Sequence, residues 1–369
     1  MNNIKKIFPL LAAICLIITL VLLIMGKGQQ AGPYLSAFFV LLSVSFRMHA
    51  STRGFAYTIL IFAAVTISMY YPSYFHTVGD FSLKTLIVPL LQLIMFGMGT
   101  SMSFNDFAGV VKMPKSVLVG MLCQYTIMPI LGFTLATSLG FSGEIAAGIV
   151  LIGSSPGGLA SNVMAYLAKA NLALSVTLTA ISTLVSPIMT PFLMKILAGE
   201  FVPINFWAMM LSIVKMVILP IIAGLIFNRI FHGKAKWLDK AMPIVSMGGI
   251  AFIITIITAA GRDSLLNIGL LLVLAAIIHN AAGYFLGYWS GRLFRMDEQS
   301  CRTIALEVGM QNGGLASGIA LEMGKVATIG LAPAVFGPWM NISGSSLATY
   351  WRDKPIADSG ESEKKKKND

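Results

Sequence analysis

Several oxygen-bearing side chains lie inside long apolar segments of this 369-residue chain, where such groups are rare. Glu307 places a carboxylate in one of these segments, and Ser161 and Asn162 occur together in a second. Ser175 and Thr179 are spaced i, i+4 in a third segment, so they share one helix face. Hard cations prefer carboxylate, amide and hydroxyl oxygens, so these residue types predict cation binding.

A glycine-rich motif occurs twice and includes Ser161 in its first copy. The sequence Gly-Gly-Leu-Ala-Ser occupies residues 157–161 and again residues 313–317, an offset of 156 residues. Glycine pairs weaken a helix, and Pro156 beside the first pair also removes a backbone donor, so we expect a broken helix at each copy. Irregular backbone within a membrane is tolerated only where it faces protein or a watery cavity, which indicates a binding site. The alternative is that the glycines only allow close helix packing.

The composition indicates a membrane protein. Hydrophobic residues make up 56% of the chain and charged residues 11%, whereas soluble domains carry about 25% charged residues. Twelve apolar runs are long enough to be candidate spans; they fall at about 8-26, 33-48, 54-74, 84-104, 115-139, 143-168, 172-197, 203-230, 239-261, 264-291, 301-323 and 325-351. We interpret the first as a retained span rather than a cleaved signal peptide, because polar Gln29 stands where a cleavage site needs a small residue.

The positive charge of the chain is a topology signal. The formal net charge is +11, but the basic residues are spread over short loops and a tail at Lys364 to Lys367, so nucleic-acid binding is not predicted. Threading the spans from an inner N-terminus puts most Lys and Arg residues on the inner side, as the positive-inside rule requires. We predict a multi-pass protein of the cell membrane, specifically of a bacterial inner membrane, with both termini cytoplasmic.

The 156-residue offset also aligns the spans of two halves. Each half has five spans, and this odd number places the second half upside down relative to the first. The predicted divisions are an extra N-terminal membrane hairpin at 1-53, a first inverted repeat at 54-200, a second inverted repeat at 201-352 and a charged cytoplasmic tail at 353-369. The predicted fold class is an all-α polytopic membrane protein with two inverted five-helix repeats and two extra N-terminal spans.

Both breaks are predicted to lie near the membrane midplane, because each is about eleven residues from the inner end of its span. The five oxygen-bearing side chains would converge just on the cytoplasmic side of them. The half-helix that ends near Gln311 offers a second set of oxygens, from its side chain and from the carbonyls of Val308 and Met310. Proton uptake by Glu307 stays open beside cation binding.

The half-helices that begin after the two glycine pairs direct their N-termini at the midplane. Free amide donors and positive dipole ends at that level predict an anion site. Asn312 and Asn341 are candidates for further neutral donors. The predicted substrate-binding residues are Gly158, Leu159, Gly314, Leu315, Asn312 and Asn341.

These motifs resemble the bile acid:sodium symporter family. The resemblance is carried by Ser-Pro-Gly-Gly-Leu-Ala-Ser-Asn at 155–162 and the following residues to 169, by the stretch 175–187, and by Ala305 to Ala316; it spans roughly 54-351. It implies crossed broken helices in a core domain and a panel domain that moves against that core. It also implies transport driven by sodium.

The resemblance further implies two sodium sites. The first would be formed by Ser161, Asn162, Ser175, Thr179 and Glu307. The second would be formed by Gln92, Glu307, Val308, Met310 and Gln311, with Gln92 implied by the resemblance alone. Leu159 and Gly313 depart from the family pattern, in which threonine and serine are common, so the anion pocket is expected to lack two hydroxyl groups.

The sequence thus predicts a sodium-coupled symporter that imports an organic anion by alternating access. The anion would be bile-acid-like or a small carboxylate such as pantoate or a keto acid. A proton-coupled or uncoupled carrier of the same fold, and a non-transporting sensor or scaffold, are the alternatives. An enzyme is not predicted, because the match to G-x-S-x-G at 153–157 lies in a membrane segment. Sodium is the only expected metal, membrane lipid surrounds the chain, and no organic cofactor or obligate protein partner is expected.

Overall fold

The computed structural model describes residues 2–49, 52–103, 106, 109–141, 143–231, 236–354 and 356. In the first part of the chain the helices are α1 (Asn2–Ile24), α2 (Gly28–Met48), α3 (Ala56–Tyr70), α4 (Ile87–Thr100), α5 (Gly109–Lys112), α6 (Pro114–Ser138), α7 (Gly143–Gly153), α8 (Ala160–Leu167) and α9 (Leu172–Leu193). A two-stranded antiparallel hairpin of β1 (Thr77–Val78) and β2 (Phe81–Ser82) lies between α3 and α4.

The second part of the chain is also helical. Its helices are α10 (Phe206–Ile213), α11 (Leu219–Phe231), α12 (Lys236–Ala260), α13 (Arg262–Leu293), α14 (Glu298–Gly309), α15 (Gly313–Glu322) and α16 (Leu331–Arg352). A π-helical turn, Val214–Ile218, joins α10 to α11, and another, Met194–Ala198, extends α9.

The helices confirm the membrane architecture. Each of the twelve predicted apolar runs contains at least one helix, and the runs 143-168 and 301-323 each contain two, so both predicted breaks are confirmed. Seven helices in the described part of the chain are individually long and apolar enough to cross a membrane, and three further apolar helices are shorter. The chain is an all-α polytopic membrane protein.

The two extra N-terminal helices are attached to the rest of the molecule through α3. Gly32 of α2 lies directly on the ring of Tyr70, since an added Cβ would meet that ring at 2.5 Å. The Ser43 hydroxyl donates to the carbonyl oxygen of Ala56 at 2.7 Å. The helices α1 and α2 of the predicted N-terminal hairpin therefore pack as a layer beside α3.

Four helical elements pack together as one layer: α3, α4, the continuous α10–α11 and α12. Glycines allow α4 and α11 to touch through their backbones, because a Cβ on Gly99 would lie 2.2 Å from the Ile221 oxygen and a Cβ on Gly224 would lie 2.2 Å from the Phe96 oxygen. The Tyr57 hydroxyl donates across this layer from α3 to α12. We call this layer the panel, after the panel domain that the resemblance implied.

The remaining long helices form a second layer around the broken ones: α6, α7–α8, α9, α13, α14–α15 and α16. Arg302 of α14 is 2% exposed, and its guanidinium donates to the carbonyls of Ala168, just after α8, and Trp351, at the end of α16. We call this layer the core. Residue 200, the predicted boundary between the repeats, lies between the π-helical turn Met194–Ala198 and α10. Most of the predicted tail at 353-369, including Lys364 to Lys367, lies outside the described residues.

Candidate functional site

The two broken helices cross at their breaks and satisfy each other's backbone there. Gly157 and Gln311 form an isolated antiparallel β-bridge. The Gly158 backbone amide donates to the Met310 carbonyl oxygen at 2.8 Å, and the Asn312 backbone amide donates to the Pro156 carbonyl oxygen at 2.9 Å. Each break thus supplies the partners that the other lost, as buried backbone requires.

At the crossing, only the glycines of the first pair lie so close to other atoms that an added side chain would clash. A Cβ on Gly157 would lie 2.8 Å from Oε2 of Glu307, and a Cβ on Gly158 would lie 2.9 Å from the Gln311 oxygen. At Gly313 the nearest atom would be 3.5 Å away, which is ordinary contact. The shared motif therefore carries different constraints in its two copies.

The five oxygen-bearing side chains predicted for the first cation set are together in the structure. Glu307, 3% exposed, accepts from the Ser161 hydroxyl at 2.6 Å and from the Ser175 hydroxyl at 2.5 Å on Oε1, and from the Thr179 hydroxyl at 2.8 Å on Oε2. Asn162 accepts from Ser175 at 2.8 Å and from Thr179 at 3.2 Å through Oδ1. Three helices, α8, α9 and α14, contribute to this cluster.

The local sequence explains why these side chains meet. Asn171 caps α9 by accepting from the Leu174 amide at 3.1 Å, which fixes where the helix that carries Ser175 and Thr179 begins. The i, i+4 spacing then turns both hydroxyls to the same side, where the break after Gly158 brings in α8. Among the described residues, no lysine or arginine side chain bonds to the carboxylate.

A second polar group surrounds Gln311, immediately beyond the carboxylate cluster. The side-chain amide of Gln311 donates through Nε2 to the Val308 carbonyl at 2.6 Å. The Gln124 amide of α6 donates to Oε1 of Gln311 at 2.7 Å and to the Ser155 carbonyl at 2.8 Å. The Met310 carbonyl, also predicted as a ligand in this group, accepts a hydrogen bond from the Gly158 backbone amide.

Gln92 is the predicted ligand that the structure places elsewhere. It lies on α4 of the panel, and its amide donates to the carbonyl of Lys215 in the π-helical turn at 3.3 Å. Gln124 is the glutamine that contacts Gln311, and the sequence interpretation missed it. The available signal was an amide side chain in the middle of an apolar span, the same signal that identified Asn162.

Some of the backbone amides predicted to bind an anion already donate to acceptors within the protein. The Gly158 amide is used in the crossing, and the Leu315 amide donates to Oδ1 of Asn312 at 3.0 Å. The amides of Leu159 and Gly314 have no hydrogen-bond acceptor within the described part of the chain. Unpaired donors therefore remain at the start of each outgoing half-helix.

The two predicted asparagines have different surroundings. Asn312 is 7% exposed and acts as the N-cap of α15 through its side-chain oxygen. Asn341 lies partly buried on α16, and its side chain has no hydrogen-bond partner among the described residues. Leu159 packs its side chain on the apolar core, in place of the hydroxyl expected from the family pattern. Asn341 is the better candidate for a free side-chain donor.

The half-helices differ in how well they are covered. Residues 315–320 of α15 are all buried, and Leu91 of α4 lies where a Cβ on Gly318 would be, at 2.4 Å. On α8, by contrast, Val163 is 57% exposed and Tyr166 is 69% exposed. The panel therefore covers one half-helix and leaves the other open.

The serine of the G-x-S-x-G match and the buried His279 both have hydrogen bonds within the helix bundle. Ser155, the central serine of the G-x-S-x-G match, donates its hydroxyl to the Leu151 carbonyl at 2.9 Å. His279 is fully buried, with Nε2 3.0 Å from the Met128 carbonyl oxygen. Neither residue contacts the other through a hydrogen bond among the described residues.

Comparison with known proteins agrees with this geometry. Residues 88–268 match the family model of the sodium bile acid symporter family. The chain is 42% identical over 307 residues to the uncharacterized sodium-dependent transporter YocS of Bacillus subtilis, covering 83% of this chain and 93% of the relative.

More distant relatives come from plants and animals. The probable sodium/metabolite cotransporter BASS1 of Arabidopsis thaliana chloroplasts is 35% identical over 262 residues, covering 71% of this chain and 65% of the relative. The ileal sodium/bile acid cotransporter of Oryctolagus cuniculus is 33% identical over 257 residues, covering 67% and 72%. All three relatives bear the names of transporters and not of enzymes. The chain therefore belongs to the sodium bile acid symporter family, and it is a multi-span membrane transporter of a sodium-dependent kind.

Proposed function

We propose that this protein imports an organic anion together with sodium ions by alternating access. The observation that carries the proposal is the buried Glu307 carboxylate, whose side-chain hydrogen bonds come from three neutral hydroxyl groups. A carboxylate at this depth costs roughly 2.5–3.5 kcal/mol on insertion scales unless its charge is compensated. A sodium ion among the five oxygen-bearing side chains would supply that compensation.

A second sodium ion would use the polar group beyond Glu307. Its oxygens would come from Gln311, the Val308 and Met310 carbonyls and, in place of Gln92, Gln124. A half-helix C-terminus that presents carbonyl oxygens is a suitable site for a monovalent cation. Two sodium ions with one monovalent anion would move one net positive charge, worth about 2.3 kcal/mol per 100 mV.

Sodium and anion binding would be coupled through the crossing. The first cation set draws on α8, α9 and α14, and the second on α6 and α14, so bound ions would hold both broken helices in one arrangement. That arrangement fixes the amides of Leu159 and Gly314, which would hydrogen-bond the anion together with Asn341. An anion at these helix N-termini is also favoured by the helix dipoles.

The substrate class follows from the small number of donors. Two amides and an asparagine suit one carboxylate group, and Leu159 offers an apolar wall instead of a hydroxyl. Small carboxylates such as pantoate or a keto acid are therefore the first compounds to test, with a bile acid as the larger alternative.

The alternating access would consist of motion of the panel against the core. The panel covers α15, which the charge distribution assigns to the outer half of the membrane, and leaves Val163 and Tyr166 of α8 open on the inner half. This arrangement corresponds to the inward-open end of the cycle. Uptake requires the reverse state, in which α15 is uncovered and α8 is covered.

Uptake of radiolabelled carboxylates into proteoliposomes tests the proposal. We expect an inward sodium gradient to drive uptake and an equal potassium gradient at fixed pH to leave it at background. Glu307→Gln should abolish the sodium-driven component, because the neutral side chain no longer attracts the ion. Uptake that follows a pH gradient regardless of sodium would instead establish proton coupling. Absence of counterflow by every carboxylate that thermally stabilises the protein would favour a sensor.

A further inference from the structure

A groove runs between α13 and α16 of the core. Its cavity has a volume of about 660 Å³, and aromatic side chains make up much of its walls. Phe285, Trp289 and Tyr350 are 62%, 55% and 59% exposed. Because Phe285 and Trp289 lie on α13, a helix long and apolar enough to cross a membrane, their exposed rings face the surrounding lipid.

The groove is as long as the hydrocarbon part of one leaflet. Its lining residues extend from Asn280 to Trp289 on α13 and from Trp339 to Trp351 on α16, distances of about 14 Å and about 18 Å at 1.5 Å per residue. One leaflet contributes roughly 15 Å of hydrocarbon. An extended acyl chain therefore fits along the aromatic walls.

The mouth of the groove is basic, at the end that the charge distribution places on the cytoplasmic side. Lys354 places its ammonium 5.0 Å from the ring centroid of Tyr350, a groove residue, and forms no ion pair with any described residue. Arg292 pairs with Glu298, and Arg352 pairs with its neighbour in the chain. One cation of this rim thus has a charge that the described residues do not neutralise.

We propose that the groove binds one anionic phospholipid of the inner leaflet. The acyl chain would lie against Tyr284, Phe285 and Trp289, and the phosphate would lie at the mouth beside Lys354. A zwitterionic lipid would gain less from Lys354, since its own cation opposes the ammonium. A short free carboxylate would leave most of the apolar wall, about 18 Å long, uncovered.

The bound lipid would also contact Asn280 and Tyr284, two groove residues that pack against the end of α14 at the helix crossing. Asn280 at the deep end donates to the Gly309 carbonyl at 2.8 Å and accepts from the Ser343 hydroxyl at 2.5 Å. The Tyr284 ring lies against Gly309, where an added Cβ would meet it at 2.2 Å. Gly309 is the last residue of α14, the helix that carries Glu307. Occupancy of the groove therefore stabilises the position of that helix end.

Native mass spectrometry of the full chain released from nanodiscs tests this site. With equal phosphatidylglycerol and phosphatidylcholine, we expect one phosphatidylglycerol molecule to be retained in preference. Ser346→Trp, which fills the groove from α16, should abolish its retention, whereas Leu270→Trp on the 87% exposed outer part of α13 should not. Lys354→Gln should lower the preference about fivefold, and Lys112→Gln, an exposed lysine on the same predicted side, should leave it unchanged.

Equal retention of the two lipids by the unmodified protein, or full retention of phosphatidylglycerol by Ser346→Trp, would overturn the proposal. Displacement of the lipid by millimolar pantoate would overturn it as well, by making the groove a carboxylate site. Lys354→Gln changes an exposed side chain and should fold normally, so it tests the site even if the tryptophan variant fails to fold. Lipid retention is measured without transport, so its outcome does not depend on sodium-driven uptake.

Discussion

Glu307 interacts with hydroxyl groups from two other helices, and two of these groups, on Ser175 and Thr179, also contact Asn162. Removing one hydroxyl leaves the others in place, whereas removing the carboxylate removes the acceptor shared by all three. We therefore expect graded effects in this cluster. Ser175→Ala should weaken sodium binding by about tenfold, the value of one hydrogen bond to a charged group, and Glu307→Gln should abolish it. Isothermal titration with sodium measures both, and equal affinities for Ser175→Ala and the unmodified protein would contradict the cluster's role.

Gln124 and Gln92 form a matched pair of variants for the second cation group. Gln124→Leu should lower sodium affinity by about tenfold or more, because it removes the amide that bonds to Gln311 and the Ser155 carbonyl. Gln92→Leu should change the affinity little, because that amide bonds only to the Lys215 carbonyl. Sodium-dependent thermal shifts of the two variants measure the difference. A larger loss of sodium affinity in Gln92→Leu than in Gln124→Leu would instead show that Gln92 contributes to the site.

The glycine pairs allow a similar comparison. Gly157→Ala brings a methyl group to 2.8 Å from Oε2 of Glu307, whereas Gly313→Ala meets nothing closer than 3.5 Å. The first variant should lose about 1–3 kcal/mol of stability and most of its sodium response. The second should keep both, and denaturation with and without sodium distinguishes the two outcomes.

At the scale of elements, Arg302 connects three helix ends of the core. Its guanidinium bonds to Glu298 at 2.8 Å and to the carbonyls that end α8 and α16. Arg302→Met keeps the side-chain volume but leaves those carbonyls unpaired, so we expect a loss of roughly 3 kcal/mol in unfolding free energy. Arg352→Met, which removes only an exposed ion pair with Asp353, should cost less than about 1 kcal/mol. Similar melting temperatures for the two variants would show that the carbonyl caps contribute little.

Sequence periodicity located the elements well because each membrane span must satisfy its own backbone and expose apolar side chains. All twelve predicted runs contain helices. The first break contains Pro156 and its glycine pair, whereas the second lies at 310–312, just before Gly313 and Gly314 begin α15. The π-helical turns at Met194–Ala198 and Val214–Ile218 were not predicted, because an extra residue in a helical turn leaves no mark in an apolar pattern.

For the whole molecule, the relative position of panel and core determines which half-helix is accessible. A cysteine at Val163 on α8 should react quickly with a membrane-impermeant thiol reagent added to the inner side, since this residue is 57% exposed. A cysteine at Ala320 on α15, fully buried here, should be protected. Both variants need a background in which Cys15, Cys123 and Cys301 are replaced. Labelling rates in oriented vesicles measure the difference.

The same pair of cysteines reports on the motion during transport. A state that opens outward should reverse the order of reactivity, because the panel would then leave α15 and cover α8. Reactivity at both positions that never changes with sodium or substrate would contradict alternating access between panel and core.

The sequence by itself determined the membrane class, the twelve segments, the two breaks and the residue types of the first cation cluster. It could do so because hydrophobic length, glycine pairs and rare polar side chains are local properties of the chain. It could not distinguish Gln92 from Gln124, since both are single amides in apolar spans, and only the packing of α6 against the crossing brings Gln124 to Gln311. Tertiary structure likewise decided which amides stay free and which half-helix is covered, because both depend on contacts between segments far apart in the chain.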